Sequence, residues 1–360
     1  MSHFVVIGAG QAGSSLVAKL RAEAFEGRIT LIGAETAPPY QRPPLSKAYL
    51  LGEMEKARLF LRPEAWYGEH DIDLRLGVTA DALDKGAKTV TLSDGETLAY
   101  DRLALCTGAH PRRLPAAIGG DLAGVFTMRD LADADTLAPE MVEGRRLLVV
   151  GGGYIGLEAA AVAAKRGLQV TVVEQAERIL QRVAAPETSA FFRDLHRRHG
   201  VEIREGVGLD RLLGESRVTG ARLSDGTEIA CDFAIVGVGV APGTGLAEPA
   251  GLALDNGIRC DIHCRTSDES IWLRATVPRS SGPTCASGSK ASATPSTWPR
   301  MPRSTCWGGA SNTAPVLGSG RTSSTPSFRS RASTRAGTRC MSAPGLARSS
   351  NHIGTTGATS

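Results

Sequence analysis

The first 32 residues alternate between apolar runs and a glycine-rich turn. Residues 4–7 are a continuous apolar run, and Leu16, Val17 and Leu20 then recur at helical spacing before a second apolar run at residues 29–32. A continuous apolar run is typical of a strand buried on both faces of a parallel sheet. The pattern therefore predicts a strand–turn–helix–strand unit at the start of the chain.

The same unit returns in the middle of the chain. Residues 146–150 are apolar after the first position and lead into a second glycine turn, Ala159 and Val162 lie on one face of the following helix, and residues 170–173 form the next strand. A repeat of this kind indicates two domains of one design.

A predicted hairpin is also repeated. Residues 89–92 and 97–100 flank a Ser-Asp-Gly turn, and residues 218–223 and 227–231 flank another. Each hairpin is followed by one more apolar run. Turn residues between two β-rich runs are a hairpin signal, so the duplication extends well beyond the glycine turns.

Both glycine turns have the spacing of a dinucleotide-binding turn. The glycines are Gly8, Gly10 and Gly13 in the first turn and Gly151, Gly153 and Gly156 in the second, which also contains Tyr154 and Ile155. In such a turn the first glycine permits the bend, the second lets the backbone approach a pyrophosphate, and the third lets helix and strand pack closely. We therefore expect an α/β protein with two doubly wound, Rossmann-like dinucleotide-binding domains. The alternative of glycine turns without a ligand stays open.

Each unit also carries an acid after its second strand. Glu174 directly follows residues 170–173, whereas Gly33 and Ala34 separate Glu35 from the first unit's strand. A carboxylate at this position accepts hydrogen bonds from ribose hydroxyls and repels a 2′-phosphate. Glu174 therefore predicts NADH rather than NADPH, while Glu35 could also be an ordinary surface acid.

The segment at residues 39–47 has a specific resemblance. Its sequence, Pro-Tyr-Gln-Arg-Pro-Pro-Leu-Ser-Lys, is similar to the corresponding loop of the FAD-dependent ferredoxin reductases that include the putidaredoxin and rhodocoxin reductases. Residues 107–109 and 237–242 resemble that family's two domain-crossing motifs, and the likeness runs from residue 3 to residue 272. The resemblance implies FAD and NAD(H) as cofactors and a [2Fe–2S] ferredoxin of an oxygenase system as electron acceptor.

The resemblance also implies roles for individual residues. Glu35 and the first glycines would hold the adenosine half of FAD, Arg42 and Lys47 would lie along FAD, and Lys47 would be near its isoalloxazine ring. Glu158 would lie near the nicotinamide, which makes Lys47 and Glu158 the catalytic candidates. The domain-crossing motifs contribute the further cofactor-binding candidates Thr107, Gly108 and Gly239. A solvated loop remains an alternative for Arg42 and Lys47, and a helix-surface acid for Glu158.

Cysteine usage narrows the chemistry. The wider superfamily carries a redox pair of cysteines after the first βαβ unit, but residues 38–47 contain none. A dithiol relay requires its thiols, so electrons are expected to leave the flavin directly for an external acceptor. The chain's seven cysteines include no CxxC pair, and Cys260, His263 and Cys264 are too few for a structural zinc site. No metal site is predicted.

Charge divides the chain into two parts. Residues 273–360 hold 11 of the 41 Lys and Arg residues and none of the 37 Asp and Glu residues. The first 272 residues therefore hold 30 basic and 37 acidic side chains, a net charge of −7. Residues 273–360 also lack a sustained helix or strand period, and their composition predicts disorder. A basic nucleic-acid-binding arm is the rival interpretation, but aromatic residues are not interleaved with the cations.

An offset of one base connects this tail to the same family. Read with that offset, the codons of residues 272–278 permit the Ala-Ala-Gly-Asp-Cys-Ala motif that the family has there, and the stretches at residues 289–299 and from Leu317 permit later family motifs. The sequence therefore predicts a frameshift near codon 272 and the loss of the family's C-terminal α+β domain. The expected domains are an FAD domain at 3–112 and 239–272, an NAD domain at 113–238, and an out-of-frame tail at 273–360.

Two alternatives to a functional reductase remain open for this chain. The chain could be an inactive frameshifted product, or a non-enzymatic flavoprotein resembling apoptosis-inducing factor. No apolar run reaches the roughly 18 residues of a membrane span, and no basic leader or small-residue cleavage site precedes the first strand. We therefore expect a cytoplasmic protein with no membrane or nucleic-acid partner.

Overall fold

The computed structural model describes residues 1–274, which form two five-stranded sheets, two three-stranded sheets and one two-stranded ribbon. The predictions for residues 275–360, and with them almost all of the predicted tail, lie outside the described residues. The strands are β1 (His3–Ile7), β2 (Arg28–Gly33), β3 (Ile72–Leu76), β4 (Ala80–Asp84), β5 (Thr89–Leu92), β6 (Thr97–Ala99), β7 (Arg102–Leu105), β8 (Ala109–Pro111), β9 (Val125–Phe126), β10 (Arg146–Val150), β11 (Gln169–Glu174), β12 (Glu202–Glu205), β13 (Leu209–Leu213), β14 (Gly220–Leu223), β15 (Glu228–Ala230), β16 (Phe233–Val236), β17 (Val240–Pro242) and β18 (Ile271–Leu273). The α-helices are α1 (Gln11–Ala22), α2 (Glu64–Glu69), α3 (Leu131–Leu137), α4 (Tyr154–Lys165) and α5 (Pro186–Arg198), and the shorter helical turns are Leu45–Tyr49, Lys56–Leu59, Ala116–Ile118 and Ala138–Glu140.

The first parallel sheet has the order β18-β7-β1-β2-β3. Its central strand β1 pairs with β2 and β7, so that Val5 lies between Thr30 and Leu103. All three of these residues are fully buried. The continuous apolar run of β1 is explained by burial on both faces, since α1 packs on one side and a second apolar cluster on the other.

The second parallel sheet repeats this design with the order β12-β11-β10-β16-β9. Its central strand β10 pairs with β11 and β16, so that Val149 lies between Val172 and Ile235. These side chains are also fully buried. The predicted α/β class with two doubly wound sheets is confirmed.

The two predicted hairpins are present, each enlarged by a strand that the pattern did not indicate. β4 joins the β5–β6 hairpin by pairing with β5, and β13 joins the β14–β15 hairpin by pairing with β14. Only Leu83 in β4 and Leu212 in β13 are buried. A strand with one buried position shows no alternation of apolar and polar residues, and this explains why neither was predicted.

The segment between β2 and β3 contributes to the core of the second half of the chain. We call residues 37–60 the excursion. Its buried side chains Tyr40, Leu45, Leu50 and Leu59 belong to one apolar cluster with residues of α3, α4, β10, β11 and β16. The excursion therefore places residues 42–47 beside α4, although they lie more than 100 positions apart in the sequence.

Residues 1–274 contain neither a membrane-spanning helix nor a cluster of metal ligands. No helix in that range has the length and apolar composition needed to cross a bilayer. No group of three or more His, Cys, Asp or Glu side chains in the same range has the arrangement of metal ligands.

Candidate dinucleotide sites

The first glycine turn lies between β1 and α1 and is closed on two sides. A Cβ atom at Gly8, whose φ is +111°, would lie 2.2 Å from the carbonyl oxygen of Cys106, and a Cβ at Gly13 would lie 2.1 Å from the carbonyl oxygen of Gly8. A Cβ at Gly10 would meet nothing within 4 Å. Gly10 is also the N-cap of α1 and makes no side-chain cap. The open face therefore leaves helix N–H groups available to a phosphate.

The second glycine turn, between β10 and α4, has the same geometry. A Cβ at Gly151, whose φ is +106°, would lie 2.6 Å from the carbonyl oxygen of Gly237, and a Cβ at Gly156 would lie 2.2 Å from that of Gly151. Gly153, the N-cap of α4, again has open space around it. Both turns fit the pyrophosphate of a dinucleotide, since each combines two close backbone contacts with one open glycine.

A cleft of about 890 Å³ opens above the second turn. Residues 151–155, Glu174 and Gly239 line it. Tyr154 and Ile155 expose 56% and 37% of their surface, which is unusual for apolar residues at the start of a packed helix. Ligand pockets typically measure roughly 300–1,000 Å³, so the cleft has room for a dinucleotide.

Glu174 is hydrogen-bonded to the turn itself. Its carboxylate accepts from the backbone N–H of Gly152 at 2.7 Å through Oε2 and from that of Ala176 at 2.8 Å through Oε1. Each oxygen retains a lone pair after one such bond. The acid is thereby held at the edge of the cleft with acceptor capacity left for hydroxyl groups.

Glu35 has a different environment from Glu174. Arg42 Nη2 lies 2.6 Å from its Oε1, and the Tyr40 hydroxyl donates to its Oε2 at 2.5 Å. Burial and this hydrogen bond raise the pKa of Tyr40 well above its usual value, so the phenol remains a donor. Arg42 also donates to the carbonyl oxygen of Arg129 at 3.0 Å. The structure thus joins Glu35 and Arg42, and neither is a solvated residue without partners.

Lys47 and Glu158, expected beside different cofactors, contact each other. Lys47 Nζ lies 2.6 Å from Glu158 Oε2 and 3.2 Å from the carbonyl oxygen of Pro43. The hydroxyl of Ser46 donates to the same Glu158 oxygen at 2.6 Å. Lys47 has φ −134° and ψ −115°, which interrupts the helical segment Leu45–Tyr49 and brings consecutive side chains to α4. Glu158 is therefore not an isolated helix-surface acid.

Thr107, Gly108 and Gly239, the candidates from the domain-crossing motifs, lie where the segments that follow β7 and β16 run side by side. Thr107 Oγ1 donates to the carbonyl oxygen of Gly243 at 2.6 Å, and the N–H of Gly243 donates to that of Gly108 at 2.9 Å. β8 and β17 pair next to these contacts as an antiparallel ribbon. Gly239, with φ +108°, adjoins the ribbon and lines the cleft. These three residues thus sit at the crossing itself.

Arg129 is a residue of this region that the sequence did not single out. A guanidinium nitrogen lies 3.8 Å from the Cβ position of Gly108, and the side chain lines the cleft. Within residues 1–274 no hydrogen bond of this guanidinium is found, and burial together with the nearby Arg42 lowers the pKa of Arg129. Arg129 follows β9, a strand of two residues and too short to recognise from a pattern. The only local signal was Asp130, which caps α3 by accepting from the N–H of Asp133.

Cys106 and Cys231 are free thiols. Cys106, Cys231 and Cys260 are buried and Cys264 is partly buried. Burial raises the pKa of the Cys106 thiol to about 12, and this keeps it protonated and unreactive at neutral pH.

Two parallel sheets, each ending in a glycine turn that fits a pyrophosphate, define a protein that binds two dinucleotides. The chain belongs to the pyridine nucleotide-disulphide oxidoreductase family, whose model matches residues 2–283. FAD and NAD(H) are the cofactors of this family. The resemblance drawn from residues 39–47, 107–109 and 237–242 is confirmed at the level of the family.

Individual relatives refine the match. The chain is 44% identical over 276 residues to the 5,5'-dehydrodivanillate O-demethylase ferredoxin reductase subunit of Sphingobium sp. (strain NBRC 103272 / SYK-6), covering 76% of this chain and 67% of that protein. It is 43% identical over 274 residues to putidaredoxin reductase CamA of Pseudomonas putida, covering 75% and 65%. The crystal structure of a covalent putidaredoxin reductase–putidaredoxin complex superimposes with a TM-score of 0.76 at 40% identity, covering 78% of this chain and 69% of that chain. The chain thus spans about two thirds of the length of these relatives.

Proposed function

We propose that this chain belongs to an NADH-dependent reductase that passes electrons through FAD to a [2Fe–2S] ferredoxin of an oxygenase system. The observation that carries the proposal is the presence of two glycine turns of matching geometry in one chain. Each turn is followed by an acid beyond the next parallel strand, Glu35 or Glu174, and Glu174 is bonded to its turn. Two dinucleotides in one protein can pass electrons from one to the other when one stays bound and the other dissociates after each turnover.

The first turn is the FAD site in this proposal and the second is the NADH site. FAD is held by Gly8, Gly10, Gly13, Glu35, Arg42, Lys47, Thr107, Gly108 and Arg129, and NADH by Gly151, Gly153, Tyr154, Ile155, Gly156, Glu174 and Gly239. The FAD domain comprises residues 3–112 and 239–272, and the NAD domain residues 113–238. Pairing of β18 with β7 in the first sheet supports the discontinuous FAD domain.

Bound FAD supplies the conversion between two-electron and one-electron transfer. The protein side chains bind and orient the two cofactors. Arg42 and Arg129 lie next to each other, and in this proposal their guanidinium groups balance phosphate charge of FAD. Glu174 accepts ribose hydroxyls at the second site, and Lys47 and Glu158 join the two sites through their contact. No side chain has to transfer a proton in this scheme.

The acceptor is assigned from the relatives and from cysteine usage. Both relatives named above are reductases of ferredoxin-type partners by their names, and the matched complex contains putidaredoxin. Residues 38–47 contain no cysteine for a dithiol relay. A small external one-electron acceptor therefore fits better than a disulfide substrate. The free thiols of Cys106 and Cys231 favour a reducing compartment, and we place the protein in the cytoplasm.

The test of this function uses a version of the gene with one base inserted at the codon 272–273 boundary. Its product should reduce a [2Fe–2S] ferredoxin with NADH, measured by the loss of the ferredoxin's visible absorbance. Glutathione disulfide and lipoamide should not be reduced by the same preparation. Efficient NADH-dependent reduction of either disulfide, without reduction of the ferredoxin, would refute the assignment.

An inactive frameshifted product is the second candidate. The observation that favours it is the absence of acids among residues 273–360, together with the one-base offset that permits the family's motifs there. Purified 360-residue protein that lacks the flavin absorbance near roughly 450 nm would support this candidate. Stoichiometric FAD in the same protein would exclude it.

A further inference from the structure

Glu158 receives two donors from consecutive residues of the excursion, and both use one carboxylate oxygen. The Ser46 hydroxyl and the Lys47 ammonium group each lie 2.6 Å from Oε2. Within residues 1–274, Oε1 has no hydrogen-bond partner. The carboxylate is thus held on one side and available on the other.

The two donors differ in burial. Ser46 is 6% exposed, whereas the Lys47 side chain is 45% exposed. A hydrogen bond from a buried donor to a charged group generally contributes more than an exposed ion pair, which water screens and side-chain entropy opposes. The serine is therefore the stronger of the two constraints on Glu158.

The backbone that carries Ser46 is itself fixed against the second half of the chain. Arg166, just after α4, donates to the carbonyl oxygen of Leu50 at 3.2 Å, and Lys165 pairs with Glu53 at 2.6 Å. The Tyr49 hydroxyl donates to Asp135 in α3. Since these contacts hold the excursion along one side of α4, the Ser46 hydroxyl has a set position relative to Glu158.

We propose that Ser46 is a positioning residue that fixes the Glu158 carboxylate, leaving Oε1 to face the nicotinamide nucleotide. Lys47 contributes little to that positioning. The inference rests on the proposed function in two respects, the assignment of the second site to NADH and the place of Glu158 beside the nicotinamide. It adds that a serine of the excursion, 112 residues from Glu158, sets the geometry of that site.

The test measures NADH affinity of the full 360-residue chain by nucleotide fluorescence, with thermal midpoints recorded separately. Ser46→Ala and Glu158→Gln should each raise the Kd about fivefold, and the double variant should be no weaker than Glu158→Gln alone, because both changes remove one interaction. Ser46→Thr, which keeps the hydroxyl, should remain within about twofold of the wild type. Lys47→Met should raise the Kd by less than half as much as Ser46→Ala.

Ser270→Ala is the matched control. Ser270 is also buried, at 4% exposure, and donates to a carboxylate, Asp268, at 2.6 Å. This variant should lower the thermal midpoint as Ser46→Ala does without changing the Kd for NADH. A purely structural role for Ser46 would make the two variants behave alike in both measurements.

Several results would overturn the inference. Additive effects of Ser46→Ala and Glu158→Gln would do so, as would an unchanged Kd in Ser46→Ala. If Ser46→Ala does not fold, a Lys47→Met effect equal to that of Glu158→Gln would show that the ammonium group positions the carboxylate. A wild-type chain that binds no NADH would refute the proposed NADH site and this inference together.

Discussion

Glu35 and Glu174 each follow the second parallel strand of a repeat, but Glu35 lies two positions further along the chain and the two acids have different neighbours. Glu35 is paired with a guanidinium and a phenol, whereas Glu174 accepts two backbone N–H groups. The negative charge of Glu35 is therefore balanced by Arg42, and that of Glu174 is not balanced by any side-chain hydrogen bond in the described part of the chain. A phosphate in contact with Glu174 would therefore be repelled by its carboxylate, while Arg178 and Arg182 line other parts of the same cleft.

Glu174 should accordingly determine nucleotide choice. In the frame-repaired enzyme, kcat/KM for NADH should exceed that for NADPH at least roughly tenfold, or about 1.4 kcal/mol. Glu174→Arg should narrow or reverse this ratio, because it exchanges repulsion of the 2′-phosphate for attraction. Ferricyanide serves as acceptor in the assay, and equal values for the two nucleotides in the wild type would contradict the role of Glu174.

His3 should make stability depend on pH. Burial is the main cause that lowers its pKa below the usual 6.5, although its ring contacts the Ala99 carbonyl and the Thr30 hydroxyl. Below about pH 6.5 the unfolded chain therefore binds a proton that the folded chain binds less readily, and stability falls as pH decreases. His3→Gln should reduce the drop in thermal midpoint between about pH 7.5 and about pH 5.5. The exposed His199→Gln is the control, and an equal effect of both substitutions would refute this assignment.

At the scale of elements, each glycine turn must both pack closely and leave space for a ligand. Different glycines of the turn meet these two requirements. Gly13 and Gly156 face carbonyl oxygens at distances that no Cβ tolerates, whereas Gly10 and Gly153 face open space. A substitution at the first pair should affect folding, and one at the second pair should affect the ligand.

The second turn allows a matched comparison. Gly156→Ala should lower the free energy of unfolding by about 2 kcal/mol or more, since its methyl would overlap the Gly151 carbonyl. Gly153→Ala should cost less than about 1 kcal/mol, the usual effect at an N-cap, yet weaken NADH binding by blocking the approach of the pyrophosphate. Urea unfolding and nucleotide titration of both variants distinguish the two requirements. A similar loss of stability in Gly153→Ala and Gly156→Ala would contradict the division between a packing glycine and a binding glycine.

The sequence predicted those elements whose side chains follow one clear period. The βαβ units around Gly8 and Gly151 were predicted because their strands are almost entirely apolar, and the hairpins because a Ser-Asp-Gly turn separates their strands. β9 has two residues, and β4 and β13 each bury a single apolar side chain. The Ser46–Glu158 contact joins positions 112 apart, so it depends on tertiary packing that no local pattern contains.

At the scale of the whole molecule, the chain combines an acidic first part with a basic, acid-free second part. The described residues 1–274 carry the fold and both glycine turns. Of the candidate site, the sequence located both glycine turns, and Glu174 is joined to the second of them through the N–H of Gly152. It did not reveal that Arg42 and Arg129 lie side by side, since 87 residues separate them.

Restoring the reading frame should restore flavin binding and electron transfer at the same time. Insertion of one base at the codon 272–273 boundary should yield a yellow protein with NADH-dependent electron transfer, whereas the 360-residue product should be nearly colourless. Absorbance spectra of the two purified proteins and resequencing of the gene test this. An unaltered gene whose 360-residue product holds stoichiometric FAD would show that the frameshift hypothesis is wrong.

The excursion has a consequence for synthesis on the ribosome. Its apolar residues, from Tyr40 to Leu59, share a cluster with Phe233 and Ile235, which are translated about 175 residues later. At roughly 5–20 residues per second, that interval is on the order of ten seconds or more. During this time the first sheet can assemble, but Leu45, Leu50 and Leu59 have no completed core to enter. The nascent chain therefore exposes an aggregation-prone apolar segment, accessible to chaperones, until β16 emerges. The speed of translation between the excursion and β16 should influence the yield of folded protein.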